Sequence, residues 1–595
     1  MSDAASGPGG LERPVLANEP GDYWGSDAVA LMLRELHLPF VALNPGASYR
    51  GLHDSLVNLL GNTEPQMLLC LHEEHAVAIA HGYAKVSGRP MGAVVHSNVG
   101  LMHATMAMFN AWCDRVPVYV LGATGPVDAA KRRPWIDWIH TAQDQGALVR
   151  NYTKWDDQPA SVPAAAESLL RAYRMMMTAP CGPVYICLDA ALQESRVGAL
   201  PPLPDASRFR PPAAAIPDPA VVAEATALLN AAKRPLMMIG RVSRGEAEWQ
   251  RRVQLAKALG AVVLTDAKAG AGFPSRHPLQ GPPAGNNPSA AACAMIREAD
   301  VILSLDWVDL AGAIKAACGD QPLAAKVTSA SLDHLIHNGW SMDYQGLPPV
   351  DVHLAVEPDI AVAALLPAIK RREEAWPGRT PSPAIQLPAP AGETIAPLML
   401  PAALREVLGS RPACLIRYPL AWTNDTWEVA HPLDALGGDG GGGIGGGPGM
   451  AVGAALALRG SGRLAVAVLG DGDFLMGVTA IWTAVHYKVP LLIVVSNNNS
   501  FFNDELHQDR MARQRNRPVA NRWIGQRIAD PEPDLGMLAR AQGAEGFGPI
   551  RRPEELVTAL RNAIRCVDAG GVAVVDVRVE AGYAPVDNAA VTRGG

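Results

Sequence analysis

The chain has 595 residues, of which 49% are hydrophobic and 18% charged, with a formal net charge of −7. At roughly 150 residues per domain this is enough for three or four buried cores, and the composition excludes a largely disordered chain. An acidic balance with no basic block argues against a nucleic-acid partner, and no apolar run approaches the ~18 uninterrupted residues of a membrane span.

The first twenty residues lack the basic start and apolar core of a secretory signal, so a cytoplasmic protein is expected. The eight cysteines, Cys70, Cys113, Cys181, Cys187, Cys293, Cys318, Cys414 and Cys566, form no CxxC pair. Buried thiols are expected rather than a disulfide framework or a zinc site.

Residues 1–20, rich in Gly, Pro and Ala, read as a loose arm. A helix is expected from Ser26 to Leu36, a strand from Phe40 to Leu43, and then the turn Asn44-Pro45-Gly46-Ala47-Ser48. A short strand, Met67 to Cys70, delivers His72-Glu73-Glu74-His75 to the start of a helix running from Ala76 to Ser87. The strand Met91 to Val95 ends in His96-Ser97-Asn98-Val99-Gly100. Further strands begin at Pro117 and run from Val184 to Leu188, before a Pro-rich linker at 193–218. Residues 219–370 alternate again, with strands at Leu236–Ile239, Val262–Leu264 and Val301–Leu305 but no constellation of chemical groups. A second linker, 371–398, has six prolines between Pro377 and Pro397.

Strands alternating with helices predict an α/β protein of three doubly wound domains with mainly parallel sheets, spanning 22–192, 219–370 and 399–585. Ligands belong at the carboxyl ends of such strands.

The third unit contains LAVAVLGDGDFLMGVTAIWTAVHYKVPLLIVVSNNNS, Leu464 to Ser500. An apolar strand stops at Gly470-Asp471-Gly472, a helix is expected from Val478 to Tyr487, and a second strand, Leu491 to Val495, leads into Asn497-Asn498-Asn499. In a parallel βαβ unit both strands present their carboxyl ends at one sheet edge, so Asp471 and Asn498 meet there. With the backbone carbonyl of Ser500 they form a hard oxygen set suited to Mg²⁺, which commonly keeps diphosphate oxygens in its other positions. Gly470 and Gly472 permit close approach of those phosphates to a helix N-terminus. The plain alternative is an ordinary α/β unit whose turn residues happen to be Gly, Asp and Asn.

GDG followed by the doubled Asn, each after a strand, resembles the thiamine-diphosphate signature of the superfamily that holds pyruvate decarboxylase, benzoylformate decarboxylase and acetohydroxyacid synthase. The resemblance covers residues 22–585 and implies thiamine diphosphate and Mg²⁺ as cofactors. It implies metal ligation by Asp471, Asn498 and Ser500, and it places Gly470, Gly472 and Asp473 among the cofactor-binding residues.

In HEEHAVAIAHGYAKVSG, Glu73 stands nine residues before Gly82-Tyr83-Ala84, as does the family glutamate that hydrogen-bonds the aminopyrimidine and drives formation of the ylid. A carboxyl with that task needs a partly dry pocket. The alternative, an acid serving a helix N-terminus, suits Glu74 better. Within the glycine run 437–449, Ile444 matches the apolar residue that bends the cofactor, and Gly442 matches a carbonyl donor.

His96-Ser97 resembles the His-Ser loop of benzoylformate decarboxylase, whose histidine transfers protons. His103 is expected to be packing or structural. Asp504 stands where pyruvate decarboxylase carries a catalytic acid, and Glu505 adjoins it; the alternative for both is solvated loop charge.

Two differences limit the likeness. Pro45-Gly46-Ala47 replaces the Pro-Gly-Ser of benzoylformate decarboxylase, so its hydroxyl is missing or displaced to Ser48. Thr141 to Gln145, TAQDQ, lacks the Phe-Gln pair of acetohydroxyacid synthase.

The expected function is a 2-oxo acid decarboxylase acting through a C2 carbanion and enamine, with possible carboligase activity. The alternatives are an acetolactate synthase-like carboligase or 2-hydroxyacyl lyase, a catalytically silent relative, and an FAD-dependent oxidase. Because the two ends of the cofactor map to different domains, the family pattern implies a homodimer or homotetramer. A small 2-oxo acid is the expected partner.

Overall fold

The computed structural model describes residues 12–15, 22–282, 288–336, 346–378, 386–387, 393–420, 422, 426–438 and 440–582. Most of the expected N-terminal arm, much of the second linker and residues 583–585 lie outside the described residues.

Three parallel sheets carry the chain. The first contains β1 (Phe40–Leu43), β2 (Gln66–Leu69), β3 (Met91–Val95), β4 (Val118–Thr124), β5 (Trp155–Asp157) and β6 (Val184–Asp189), in the order β2-β1-β3-β4-β6-β5. The second contains β7 (Pro235–Ile239), β8 (Val262–Thr265), β9 (Val301–Leu305), β10 (Lys326–Ala330) and β11 (Val352–Leu354), in the order β8-β7-β9-β10-β11. The third contains β12 (Ala413–Arg417), β13 (Leu464–Gly470), β14 (Leu491–Asn497), β15 (Glu545–Ile550) and β16 (Val572–Arg578), in the order β12-β13-β14-β16-β15. Neighbouring strands within each sheet pair in parallel. The central strands are continuous Val, Ile and Leu runs because helices cover both faces. The fold is therefore α/β, with each sheet doubly wound.

Helix α1 (Glu73–Ser87) starts where the His72 side chain accepts the Glu74 N–H, carries two acids in its first turn and stops at Gly88 in the left-handed region. Its outer face meets α3 (Gly447–Ala457) of the third domain. A Cβ on Gly453 would stand 1.8 Å from the Ile79 carbonyl oxygen, and one on Gly82 would stand 2.1 Å from that of Met450. Glycine on both helices is what lets their backbones touch.

Ile79 and Tyr83 share one apolar cluster with Met450, Ala454 and Ile481, so the first and third domains have a common core. The edge strand β2 is covered in the same way. The Leu69 N–H donates to Tyr487 Oη at 2.8 Å, and Thr483 Oγ1 donates to the Leu69 carbonyl at 2.8 Å.

The expected helix from Val478 to Tyr487 is shorter and has a predecessor. α4 (Asp471–Gly477) begins at the acid itself, and α5 (Ala480–His486) follows. Residues 471–473 are thus the first turn of a helix rather than a turn preceding one.

Candidate functional site

β13 and β14 run in register from Val466 opposite Leu492 to Gly470 opposite Ser496, which brings the residues after both strands side by side. Asp471 Oδ2 and Asn498 Oδ1 both accept the Ser500 N–H, at 3.0 and 3.1 Å, and Asp471 Oδ1 accepts that of Gly472 at 2.9 Å. Two oxygen donors converging on one N–H lie next to each other, as the spacing anticipated.

Asp471 is only 4% exposed, and burial pushes its carboxyl up to about 6 despite the surrounding N–H groups. A buried carboxylate beside an amide oxygen is an arrangement that a hard divalent cation relieves, so these residues fit Mg²⁺.

The turn is held from behind. Asn497 Nδ2 donates to Asp576 at 2.8 Å, Asn499 adopts a φ of +55°, and Ser500 Oγ donates to Glu505 Oε1 at 2.6 Å. Both acids of the 504–505 pair lie in the first turn of α6 (Phe502–Gln514). Glu505, 2% exposed, is the one that touches the Asn498–Ser500 turn, whereas Asp504 is exposed. Asp504, expected as a catalytic acid, stands apart from the carboxylates that organise the turn and is open at the start of α6.

The glycine run is a stapled loop. Asp473 Oδ1 accepts the N–H groups of Gly445 at 2.7 Å and Gly447 at 3.2 Å, and Arg417 Nε lies 2.7 Å from Asp473 Oδ2. Asn110 Oδ1 accepts the Gly441 N–H at 3.1 Å, and Lys85 Nζ donates to the Gly438 carbonyl. Asp473 thus shapes the glycine loop through that loop's backbone. Ile444, the one bulky side chain of the run, is 38% exposed at its crest, and Gly442 is exposed beside it.

On the first domain, Glu73 is 7% exposed at the N-terminus of α1. Its Oε2 meets His103 Nδ1 at 3.0 Å, and the His103 ring stacks on His72 with centroids 4.9 Å apart. His103, expected to be packing or structural, contacts Glu73. It lies on α2 (Ser97–Asp114), six residues past the helix start, a position that sequence spacing alone did not connect with residue 73.

Beside this pair, Ser48 Oγ and His96 Nδ1 share a hydrogen bond of 2.8 Å, and the His140 ring meets that of His96 edge-on at 4.7 Å. A Cβ on Gly46 would stand 2.3 Å from His96, so only glycine lets the 44–48 turn lie against that ring. Burial, and then the neighbouring His140, lower the His96 pKa. Ser97 holds the junction at a φ of +48° while its Oγ donates to the His140 carbonyl at 2.6 Å. The displaced hydroxyl of Ser48 therefore reaches the histidine. His140 is an addition that sequence reasoning missed.

A cavity of about 1080 Å³ lies elsewhere, where the three domains meet, lined among others by Lys85, Asp114, Arg241, Arg244 and Asp306. Its charges serve one another. Lys85 pairs with Asp114 at 2.7 Å, Arg115 with Asp333 at 2.6 Å, and Arg244 donates to the Ala269 and Leu436 carbonyls.

The sequence matches the thiamine pyrophosphate enzyme N-terminal TPP binding domain over residues 23–149, the central domain over 222–306 and the C-terminal TPP binding domain over 419–577. The chain belongs to the thiamine pyrophosphate enzymes.

Within that family it is 25% identical over 528 residues to a benzoylformate decarboxylase of Pseudomonas aeruginosa, covering 84% of this chain and 89% of the relative. It is 24% identical over 543 residues to the mitochondrial acetolactate synthase catalytic subunit of Aspergillus candidus, covering 82% and 74%. A benzoylformate decarboxylase structure from Polynucleobacter necessarius superposes with a TM-score of 0.77 at 22% identity, over 94% of this chain and 99% of that one, which establishes a shared fold. Among the described residues, no helix of this thiamine pyrophosphate enzyme is long and apolar enough to cross a membrane.

Proposed function

We propose that the chain is a thiamine-diphosphate- and Mg²⁺-dependent 2-oxo acid decarboxylase with carboligase activity as a side reaction. The observation that carries this reading is the Ser48–His96 hydrogen bond, on the same domain face as Glu73. It furnishes a hydroxyl–imidazole pair able to hand a proton to a reacting carbon or oxygen, which is what ending a decarboxylation in protonation requires.

Thiamine diphosphate, when bound, would supply a nucleophilic carbanion and a sink for the electrons released with CO₂. The remaining work is the protein's. Glu73 would face the pyrimidine and hold or release a proton there, His96 and Ser48 would move protons at the substrate, and Ile444 with Gly442 would lie against the cofactor. Gly470, Gly472 and the loop held by Asp473 would receive the diphosphate, and Asp471, Asn498 and Ser500 would hold the Mg²⁺.

We take the three units as 22–192, 219–370 and 399–585, with the first and third supplying opposite ends of the cofactor. Exposed Ile444 and Met476 at the diphosphate end support a homodimer that covers them.

The test is a panel of 2-oxo acids assayed for CO₂ and aldehyde with and without an added acceptor aldehyde. Release of both without acceptor is the expected result. Turnover only when an acceptor is present would establish a carboligase instead.

A further inference from the structure

We propose that His103 is a proton relay between solvent and the Glu73 carboxyl, a positioning residue that sets that group's protonation. The inference rests on the reading of Glu73 as the pyrimidine-facing acid.

The geometry is directional. Glu73 has a side chain 9% exposed, while that of His103 is 57% exposed, and His103 Nδ1 sits 3.0 Å from Glu73 Oε2. Gly100 lies near the other carboxylate oxygen, where an added Cβ would stand 3.1 Å from Oε1, so only glycine leaves that oxygen uncrowded. A ring whose Nδ1 faces a carboxylate carries its hydrogen there, leaving the Nε2 lone pair for an incoming proton. One step then balances. A proton from water or buffer acid adds at Nε2, the Nδ1 hydrogen passes to Glu73 Oε2, and the ring is left neutral with its hydrogen on Nε2. The reverse sequence returns the proton to solvent.

His72 keeps the relay in line by stacking on His103 at an interplanar angle of 19°. Its own Nδ1 accepts the Glu74 N–H at 3.1 Å, so the neutral His72 ring holds its hydrogen on Nε2. That tautomer has no lone pair left for a metal, although ligand atoms of His72, Glu73 and His103 lie within 4.8 Å of one another.

The titratable groups around the pair are His72, Glu74 and His75 on or beside α1, Tyr49 and Cys70 from the first sheet's loops, and His96 beyond. Burial raises Tyr49 well above its ordinary value, pushes Cys70 up to about 12 and takes His75 down to about 4, so none of these three changes charge near neutrality.

The experiment compares wild type, His103→Asn and Glu73→Gln as full-length chains. Asparagine presents an N–H toward Glu73 but no titrating nitrogen. Thiamine diphosphate affinity is measured by calorimetry with Mg²⁺ present, and exchange of the bound cofactor's C2 hydrogen for deuterium by acid quench, across a series of pH values.

The relay predicts that His103→Asn keeps wild-type cofactor affinity, exchanges about 100-fold more slowly and loses the pH dependence of exchange. His103→Ala, a second and smaller variant at this exposed position, should recover exchange when imidazole is added. A His103→Asn enzyme exchanging at the wild-type rate with the wild-type pH profile, or an alanine variant deaf to imidazole, overturns the relay. If Glu73→Gln also exchanges normally, or wild type binds no cofactor, the reading of Glu73 falls and the relay with it.

Discussion

Asp473 Oδ1 accepts the backbone N–H of Gly445 at 2.7 Å, a bond that ties the first turn of α4 to a glycine loop 28 positions earlier in the chain. Gly447 adds a second bond to the same oxygen, and Arg417 flanks the other. Hydrogen bonds to a charged group contribute about 1.5–3 kcal/mol each, so Asp473→Ala should destabilise the loop by on the order of 3 kcal/mol. We expect thiamine diphosphate affinity to fall at least about tenfold, with Asp473→Asn intermediate because an amide oxygen still accepts. Calorimetric titration checks this; unchanged affinity in the alanine variant would mean that the loop is shaped by something else.

Glu73→Gln should lower turnover about 100-fold to 10,000-fold, the range associated with loss of one acid–base group, while cofactor binding and assembly persist. Near-native turnover in steady-state assays would remove Glu73 from the mechanism.

Asp471→Ala should abolish metal-dependent retention of the cofactor. The Asp471 carboxylate is buried and its local partners are backbone N–H groups, so a divalent cation is its natural counter-charge. Gel filtration of the loaded protein with and without Mg²⁺ reads this directly, and co-elution of cofactor with the alanine variant would contradict it.

The sheet edge at Asp471 and Asn498 was legible because it needs only local rules: two apolar runs, one helix between them, and the geometry of a parallel βαβ unit. That Glu73 stands where a strand gives way to a helix was legible from the segments on either side of it. The contact of His103 with Glu73 was not, because it depends on how α1 and α2 pack, and no period in either segment encodes which helix faces meet. Glu505 differs from Asp504 in the same way. Two adjacent acids look equivalent in sequence, yet the helical turn buries one under Ser500 and leaves the other exposed. Short edge strands such as β5, Trp155–Asp157, carry too few residues to show alternation.

The α1–α3 crossing offers a test of the shared core. Gly453→Ala places a methyl 1.8 Å from the Ile79 carbonyl oxygen, a backbone atom that cannot swing away. The helices must separate, and overpacking of this kind costs about 1–3 kcal/mol. Chemical denaturation should show that loss for Gly453→Ala and again for Gly82→Ala. The pair should cost less than the sum of the two, since one separation relieves both clashes. Full additivity would indicate that the two sites do not share a contact.

His75 makes stability depend on acid at the same interface. It is 2% exposed, its Nε2 bonds Thr479 Oγ1 at 2.9 Å, and its Nδ1 has no hydrogen-bond partner among the described residues. A protonated ring would therefore carry an unsatisfied N–H into the core, and burial, followed by the nearby His72, lowers its pKa to about 4. The folded value lies below the unfolded one of about 6.5, so the neutral ring's stabilisation is complete above about 6.5 and is lost as pH falls toward 4. At about 1.4 kcal/mol per unit, the difference amounts to roughly 3 kcal/mol for a fully buried group. Thermal unfolding of the wild type should weaken steeply over that window, and His75→Gln, which cannot charge, should follow a shallower curve. Because other acids and histidines titrate identically in both proteins, the difference between the two curves belongs to residue 75. Parallel curves would show that the first and third domains accommodate the charged ring without penalty.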